Sequence, residues 1–169
     1  PGSWIDEPPE RWFLSRLDTL EGATVALLGY GSINRAVAAR LAPFGCRLLA
    51  VRRTGAPVDD PGVVVVADAA AAVAEADHMV VGVPSTPETG NLVDADLLAV
   101  SRSGIHLVNV SRGSVVDQDA LRSALDSGQV GLASLDVCDP EPLPEGHWLY
   151  THPSVRLSPH ISWCSPNSF

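Results

Sequence analysis

Apolar residues in this chain come in short runs, and the segments between them have helical spacing. Ala23-Thr-Val-Ala-Leu-Leu28 predicts a first strand, followed by a helix over Arg35-Ala-Val-Ala-Ala-Arg-Leu-Ala42. Pro43-Phe-Gly45 stops that helix, Cys46-Arg-Leu-Leu-Ala-Val51 is a second strand, and Val63-Val-Val-Val66 is a third. A helix over residues 67–76 leads to a fourth strand, His78-Met-Val-Val-Gly-Val83, ended by Pro84. Asp94 begins a helix that runs to Val100, with an acid in the first turn where the helix dipole favours it. Ile105-His-Leu-Val-Asn-Val110 is a fifth strand, and Asp117 caps a helix over residues 118–127 that Gly128 closes. Residues 130–136 form a sixth strand, Asp139-Pro-Glu-Pro-Leu-Pro144 a rigid irregular loop, and Val155-Arg-Leu157 a last short strand. Ahead of these, residues 1–20 predict an extended lead-in and a short helix over 10–17, packing Trp12, Phe13 or Leu17. A turn at Leu20-Glu-Gly22 then enters the first strand.

Strands that alternate with helices and read as near-continuous apolar runs indicate a parallel sheet covered on both faces. The expected fold is α/β, a doubly wound parallel sheet of the Rossmann type in three α/β/α layers. It occupies residues 21–169, with 1–20 as a lead-in or crossover segment. A chain of 169 residues suits one such domain and is long enough to bury a core.

Between the first strand and its helix stands Gly29-Tyr-Gly-Ser-Ile-Asn34. Strand, glycine turn and helix is the setting in which G-x-G-x-x-G marks a dinucleotide site. Gly29 allows the tight turn, and Gly31 lets backbone N–H groups approach a pyrophosphate at the helix N-terminus. Asn34 replaces the third glycine, which normally permits close helix–strand packing. The helix must therefore sit farther from the sheet, or the amide must find polar partners. The expectation at this level is a modest gain in cofactor affinity for Asn34→Gly. At the end of the second strand, Val51-Arg-Arg-Thr-Gly55 has no acid before Asp59. An acid there would hold the ribose 2′-OH of NAD, whereas Arg52 and Arg53, with Thr54 beside them, suit a 2′-phosphate. NADP is the preferred cofactor and NAD the alternative.

The net charge of −9 disfavours nucleic acid and anionic membranes as partners. Cys46, Cys138 and Cys164 are far apart and form no C-x-x-C pair, so neither a disulfide framework nor a metal site is expected. Free thiols in a reducing cytoplasm are the simpler reading. No apolar run approaches the roughly 20 residues needed to span a bilayer.

From Val83 onward the chain resembles the D-isomer-specific 2-hydroxyacid dehydrogenases. Val83-Pro-Ser-Thr-Pro-Glu-Thr89, Leu107-Val-Asn-Val-Ser-Arg-Gly113, Leu135-Asp-Val-Cys-Asp-Pro-Glu-Pro142 and Ser158-Pro-His-Ile161 carry the resemblance, in the family's order. It implies that Ser32 and Ile33 face the pyrophosphate, and that Val83, Pro84 and Thr89 line the adenosine–ribose side. Val110 and Ser111 would border the nicotinamide, and Asp136 would hold its carboxamide. Arg112, Glu141 and His160 match the catalytic trio, with Asp139 as the competing carboxylate. Protonated His160 would supply the proton in reduction of a small 2-oxo acid of the glyoxylate or hydroxypyruvate type. Glu141 would bond its other ring nitrogen and favour the imidazolium. Arg112 would bind the substrate carboxylate in a planar, two-pronged manner. The nicotinamide supplies the hydride.

The resemblance also implies a homodimer and a second, substrate-side domain. That second domain is expected to be absent from this chain, which begins near one crossover of the family and stops just past His160. The chain alone is therefore expected to be a feeble catalyst. Two other readings stand beside this one: a non-catalytic dinucleotide sensor or corepressor-like module, and oxidation of formate or phosphite. Relatives of the formate branch typically place Gln where this chain has Glu141.

Overall fold

The computed structural model describes residues 19–164. The expected lead-in and the helix over 10–17 lie outside the described residues. Among the described residues, seven strands form one sheet: β1 (Thr24–Leu28), β2 (Arg47–Val51), β3 (Val63–Val66), β4 (His78–Val81), β5 (Ile105–Asn109), β6 (Val130–Leu135) and β7 (Val155–Leu157). Their order is β3-β2-β1-β4-β5-β6-β7, and every neighbouring pair is parallel. The chain first builds outward from β1 to β3, then returns to β4 and builds the other way. That reversal leaves a crevice at the carboxyl ends of β1 and β4, where ligands bind open α/β sheets.

The strand ends are level. Leu28 pairs with Val51 on one side and Val81 on the other, Val81 with Asn109, Asn109 with Leu135, and Leu135 with Leu157. Every loop that follows a strand therefore emerges along one edge. The fourth, fifth and sixth strands stop one or two residues short of the expected Val83, Val110 and Asp136. Gly82 and Asp136 still donate ladder bonds to Leu28 and Asn109, and the chain then leaves the sheet to form the loops of that edge.

Among the described residues, four α-helices pack on the sheet: α1 (Ser32–Leu41), α2 (Ala69–Glu75), α3 (Ala95–Val100) and α4 (Gln118–Asp126). The first starts three residues before the expected Arg35, directly at Gly31, so Asn34 belongs to its first turn. Asp68, Asp94 and Asp117 cap α2, α3 and α4, each accepting backbone N–H bonds of its own first turn. The layers are unequal. Buried residues of α2, α3 and α4 meet Ala26, Leu28, Met79, Val81, Leu107 and Leu135 on one face. On the other, Ala38 of α1 meets Val25, Leu27, Leu48 and Val80. One helix is about 10 Å across, too narrow for seven strands spaced about 4.8 Å apart. On that face His106, Val108, Leu132 and Ser134 are only half-buried. The expected cover on both faces is thus complete on one side and partial on the other, among the described residues.

Candidate functional site

The glycine turn closes β1 at the crevice. Gly29 has φ of 80°, and a Cβ there would lie 2.6 Å from Val83 Cγ1, so only glycine fits. Gly31 has open space where a Cβ would stand and opens α1 with no side-chain cap and no acid in the first turn. The other three helices are neutralised by their own aspartates, whereas the N–H groups of this one are left for an external acceptor. That donor set, at the reversal point of the sheet, fits a dinucleotide pyrophosphate. Ser32 and Ile33 are exposed at this turn. Asn34 is fully buried, and its amide does find polar partners: Nδ2 donates to the carbonyls of Gly29 (2.7 Å), Leu28 (3.2 Å) and Val80 (3.4 Å).

At the end of β2, Arg52 is half-buried and Arg53 exposed. Arg52 Nη1 donates to the carbonyls of Ala56 (2.8 Å) and Pro57 (3.3 Å), which holds the guanidinium against its own loop. Arg53 lies near Glu88, and Thr54 Oγ1 accepts a long bond from Ala56 N. Asp60 is the residue that the sequence reading missed here. The β2–β3 loop carries it back to the glycine turn, where it pairs with Arg35 Nε at 3.1 Å beside Tyr30. Burial and this neighbouring carboxylate push the Tyr30 phenol up. Nothing in the local sequence marks Asp60, because only the return path of the loop brings it to the cleft.

Val83 is half-buried against Gly29, and Pro84 is exposed. Thr89 Oγ1 donates to Pro84 O (2.6 Å) and accepts from Thr86 N (2.8 Å), so its hydroxyl shapes the loop from within. Beyond β5, Val110 is half-buried and Ser111 buried. Asn109, given no role from the sequence, organises this stretch. Its Oδ1 accepts from Ser111 N and Oγ, and its Nδ2 donates to Arg112 O. A polar residue ending an apolar strand was the available signal. Arg112 is exposed; its Nη1 donates to Ser111 O at 2.6 Å, and it has no bond to Glu141 or His160 among the described residues.

The loops after β5 and β6 are nonetheless pressed together. A Cβ on Gly113 would lie 2.0 Å from the Cys138 carbonyl carbon and oxygen, which makes this approach possible only for glycine. Gln118 grips the backbone of Asp139 from both ends of its amide. The chain then runs through Glu141, whose Oε1 lies 2.6 Å from His160 Nδ1. Asp139 has no bond to the imidazole among the described residues, so the structure pairs His160 with Glu141. Among the described residues, Nε2 is the ring nitrogen without a partner. A cavity of about 680 Å³ adjoins the pair, lined in part by Asp136, Cys138, Leu143, Tyr150 and Leu157.

His160 itself adopts φ of 53°, unusual for a residue with a side chain. Its turn is wrapped around the carboxylate of Asp136, which is 5% exposed. Oδ1 accepts from Ser158 Oγ (2.5 Å) and Ile161 N (3.0 Å), and Oδ2 accepts from Ser162 N (2.8 Å). Burial raises the Asp136 pKa, but the bonds from Ser158, Ser162 and the Ile161 amide outweigh it and hold the group at about 2. The residue expected at the nicotinamide carboxamide thus already anchors the histidine turn.

Residues 3–162 match the description "D-isomer specific 2-hydroxyacid dehydrogenase, NAD binding domain". The glyoxylate reductase/hydroxypyruvate reductase of Mus musculus is 40% identical over 147 residues, covering 84% of this chain and 44% of that protein. Among solved structures, the TT0316 protein of Thermus thermophilus superposes with a TM-score of 0.82 at 40% identity, covering 94% of this chain and 48% of that one. A D-isomer specific 2-hydroxyacid dehydrogenase from Xanthobacter autotrophicus Py2, in complex with NADPH and MES, gives 0.80 at 34% identity, covering 94% and 62%. The chain spans about half the length of the curated relatives it matches.

Proposed function

The chain belongs to the D-isomer specific 2-hydroxyacid dehydrogenases, through their NAD binding domain, and on that premise we propose that it serves an NADP-dependent reductase of small 2-oxo acids. The observation that carries the reading is the Glu141–His160 pair, 2.6 Å apart on the same sheet edge as an uncapped glycine turn. The dinucleotide, when bound, supplies the hydride. His160 holds the proton for the carbonyl oxygen at Nε2, because Glu141 occupies Nδ1 and fixes the ring. Asp136 sets the turn from which the ring projects. Arg112 turns from the Ser111 carbonyl to bind the substrate carboxylate through its guanidinium fork.

The preference for NADP rests on Arg52 and Arg53 at the end of β2, where an acid would be needed for the ribose of NAD. Asp60 is an acid beside the turn, and its pairing with Arg35 takes up its charge.

The test is a screen of glyoxylate, hydroxypyruvate and pyruvate with NADPH and NADH on the intact protein. Oxidation of NADPH faster than NADH is expected, with the preference reversed by Arg52→Asp. His160→Gln should lower kcat by about a hundredfold or more while dinucleotide affinity stays unchanged. Dinucleotide binding with no turnover of any 2-oxo acid would favour the sensor-like module instead.

A further inference from the structure

Asn34 departs from the glycine that the dinucleotide turn ordinarily carries, and its surroundings show where the room for its side chain comes from. A Cβ built on Gly82 would lie 2.6 Å from Asn34 Nδ2, 2.7 Å from Cγ and 2.8 Å from Oδ1. Gly82, just past the end of β4, therefore provides the room that the Asn34 side chain occupies. The polarity of the side chain has consequences as well. The three atoms around Nδ2 are all carbonyl oxygens, which the NH₂ end of the amide can satisfy and its oxygen cannot. The shortest of these bonds goes to Gly29, inside the turn. In a trans peptide the carbonyl and the following N–H point in opposite directions. Holding the Gly29 carbonyl toward the buried amide thus turns the Tyr30 N–H away from it.

We propose that Asn34 is a positioning residue for the dinucleotide turn, matched to Gly82: the amide fixes the turn's peptides so that its N–H groups are already set to receive pyrophosphate. This rests on the dinucleotide reading above. A residue present only to fill space would not bring a buried Oδ1 that has no hydrogen-bond partner among the described residues. The donated bonds offset that loss, and the benefit is a turn fixed before any ligand arrives.

The inference is tested in the protein with Asn34→Gly, Asn34→Ala, Gly82→Ala and the double variant Asn34→Gly/Gly82→Ala. NADPH and NADH affinities, melting temperature and amide hydrogen exchange at residues 30–33 are measured for each. Asn34→Gly and Asn34→Ala should weaken dinucleotide binding about tenfold, roughly the loss of one buried hydrogen bond, and speed exchange at 30–33 in the unliganded protein. Gly82→Ala should lower the melting temperature, and the double variant should recover that temperature without recovering affinity. The gain expected for Asn34→Gly from the motif alone is thereby reversed. Unchanged or tighter binding in both Asn34 variants would overturn the proposal, as would equal tolerance of Gly82→Ala with and without Asn34. Should the parent bind neither dinucleotide, the cofactor reading falls, and exchange at 30–33 still decides: unchanged protection in the Asn34 variants defeats the positioning role.

Discussion

Two turns on the same sheet edge are built with opposite hydrogen-bond polarity. At the end of β1, a buried amide donates to the carbonyls of Leu28, Gly29 and, across the sheet, Val80. At the end of β7, a buried carboxylate accepts from the Ser158 hydroxyl and the N–H groups of Ile161 and Ser162. The first arrangement takes up carbonyl oxygens and leaves N–H groups for an anion. The second takes up N–H groups and projects an imidazole that is seated on Glu141. Each anchor thus satisfies the backbone atoms that the site does not use. The carboxylate is charged and the amide neutral, so the β7 turn should be the more strongly held.

Removing the stronger anchor should have the larger effect. Asp136→Ala leaves two amides and a hydroxyl without their acceptor, and a stability loss of about 3 kcal/mol is expected from charged hydrogen bonds of this kind, read by urea denaturation. It should also lower kcat more than it weakens dinucleotide binding; the reverse pattern would restore the carboxamide contact as its main role.

Acid provides a milder form of the same break. The Asp136 pKa falls from an ordinary 3.8 to about 2 in the folded chain. Its contribution is therefore complete above about pH 4 and is lost as pH drops toward 2, amounting to roughly 2 kcal/mol. Subtracting the denaturation profile of Asp136→Asn from that of the parent should isolate a step in this window. A flat difference would show that the carboxylate is not held as described. Ser158→Ala, the smallest change, deletes one of three donors and should cost about 1 kcal/mol with a modest fall in kcat and no change in dinucleotide affinity.

Much of this was legible in the sequence because it depends on neighbours in the chain. Val63–Val66 and Val155–Leu157 are the strands the apolar runs predict, and Asp117 caps its helix as expected, whereas Asp68 and Asp94, read as helical residues, also stand just outside their helices as caps because a short acidic side chain can satisfy the first N–H groups. The motifs placed Glu141 and His160 in one site, and the structure brings them into contact. What remained hidden depends on groups far apart in sequence. Asp60 returns to Arg35 through a loop, Asp136 reaches Ser162 across 26 positions, and Gly113 meets the Cys138 backbone at a distance only glycine permits.

Asn34 shows where the two levels divide. The sequence by itself determined the alternation of strands and helices, the glycine turn and the identity of the departing residue. It also posed the choice between a displaced helix and a partnered amide. Only the tertiary structure could decide between them, because the answer lies on β4. The Val80 carbonyl and the empty side of Gly82 stand beside Asn34 once the sheet has paired β1 with β4, and 46 residues separate Asn34 from Val80 along the chain. Helical and strand periodicity are local consequences of backbone geometry. Whether a buried polar group finds its partner depends on which strand the sheet places next to it.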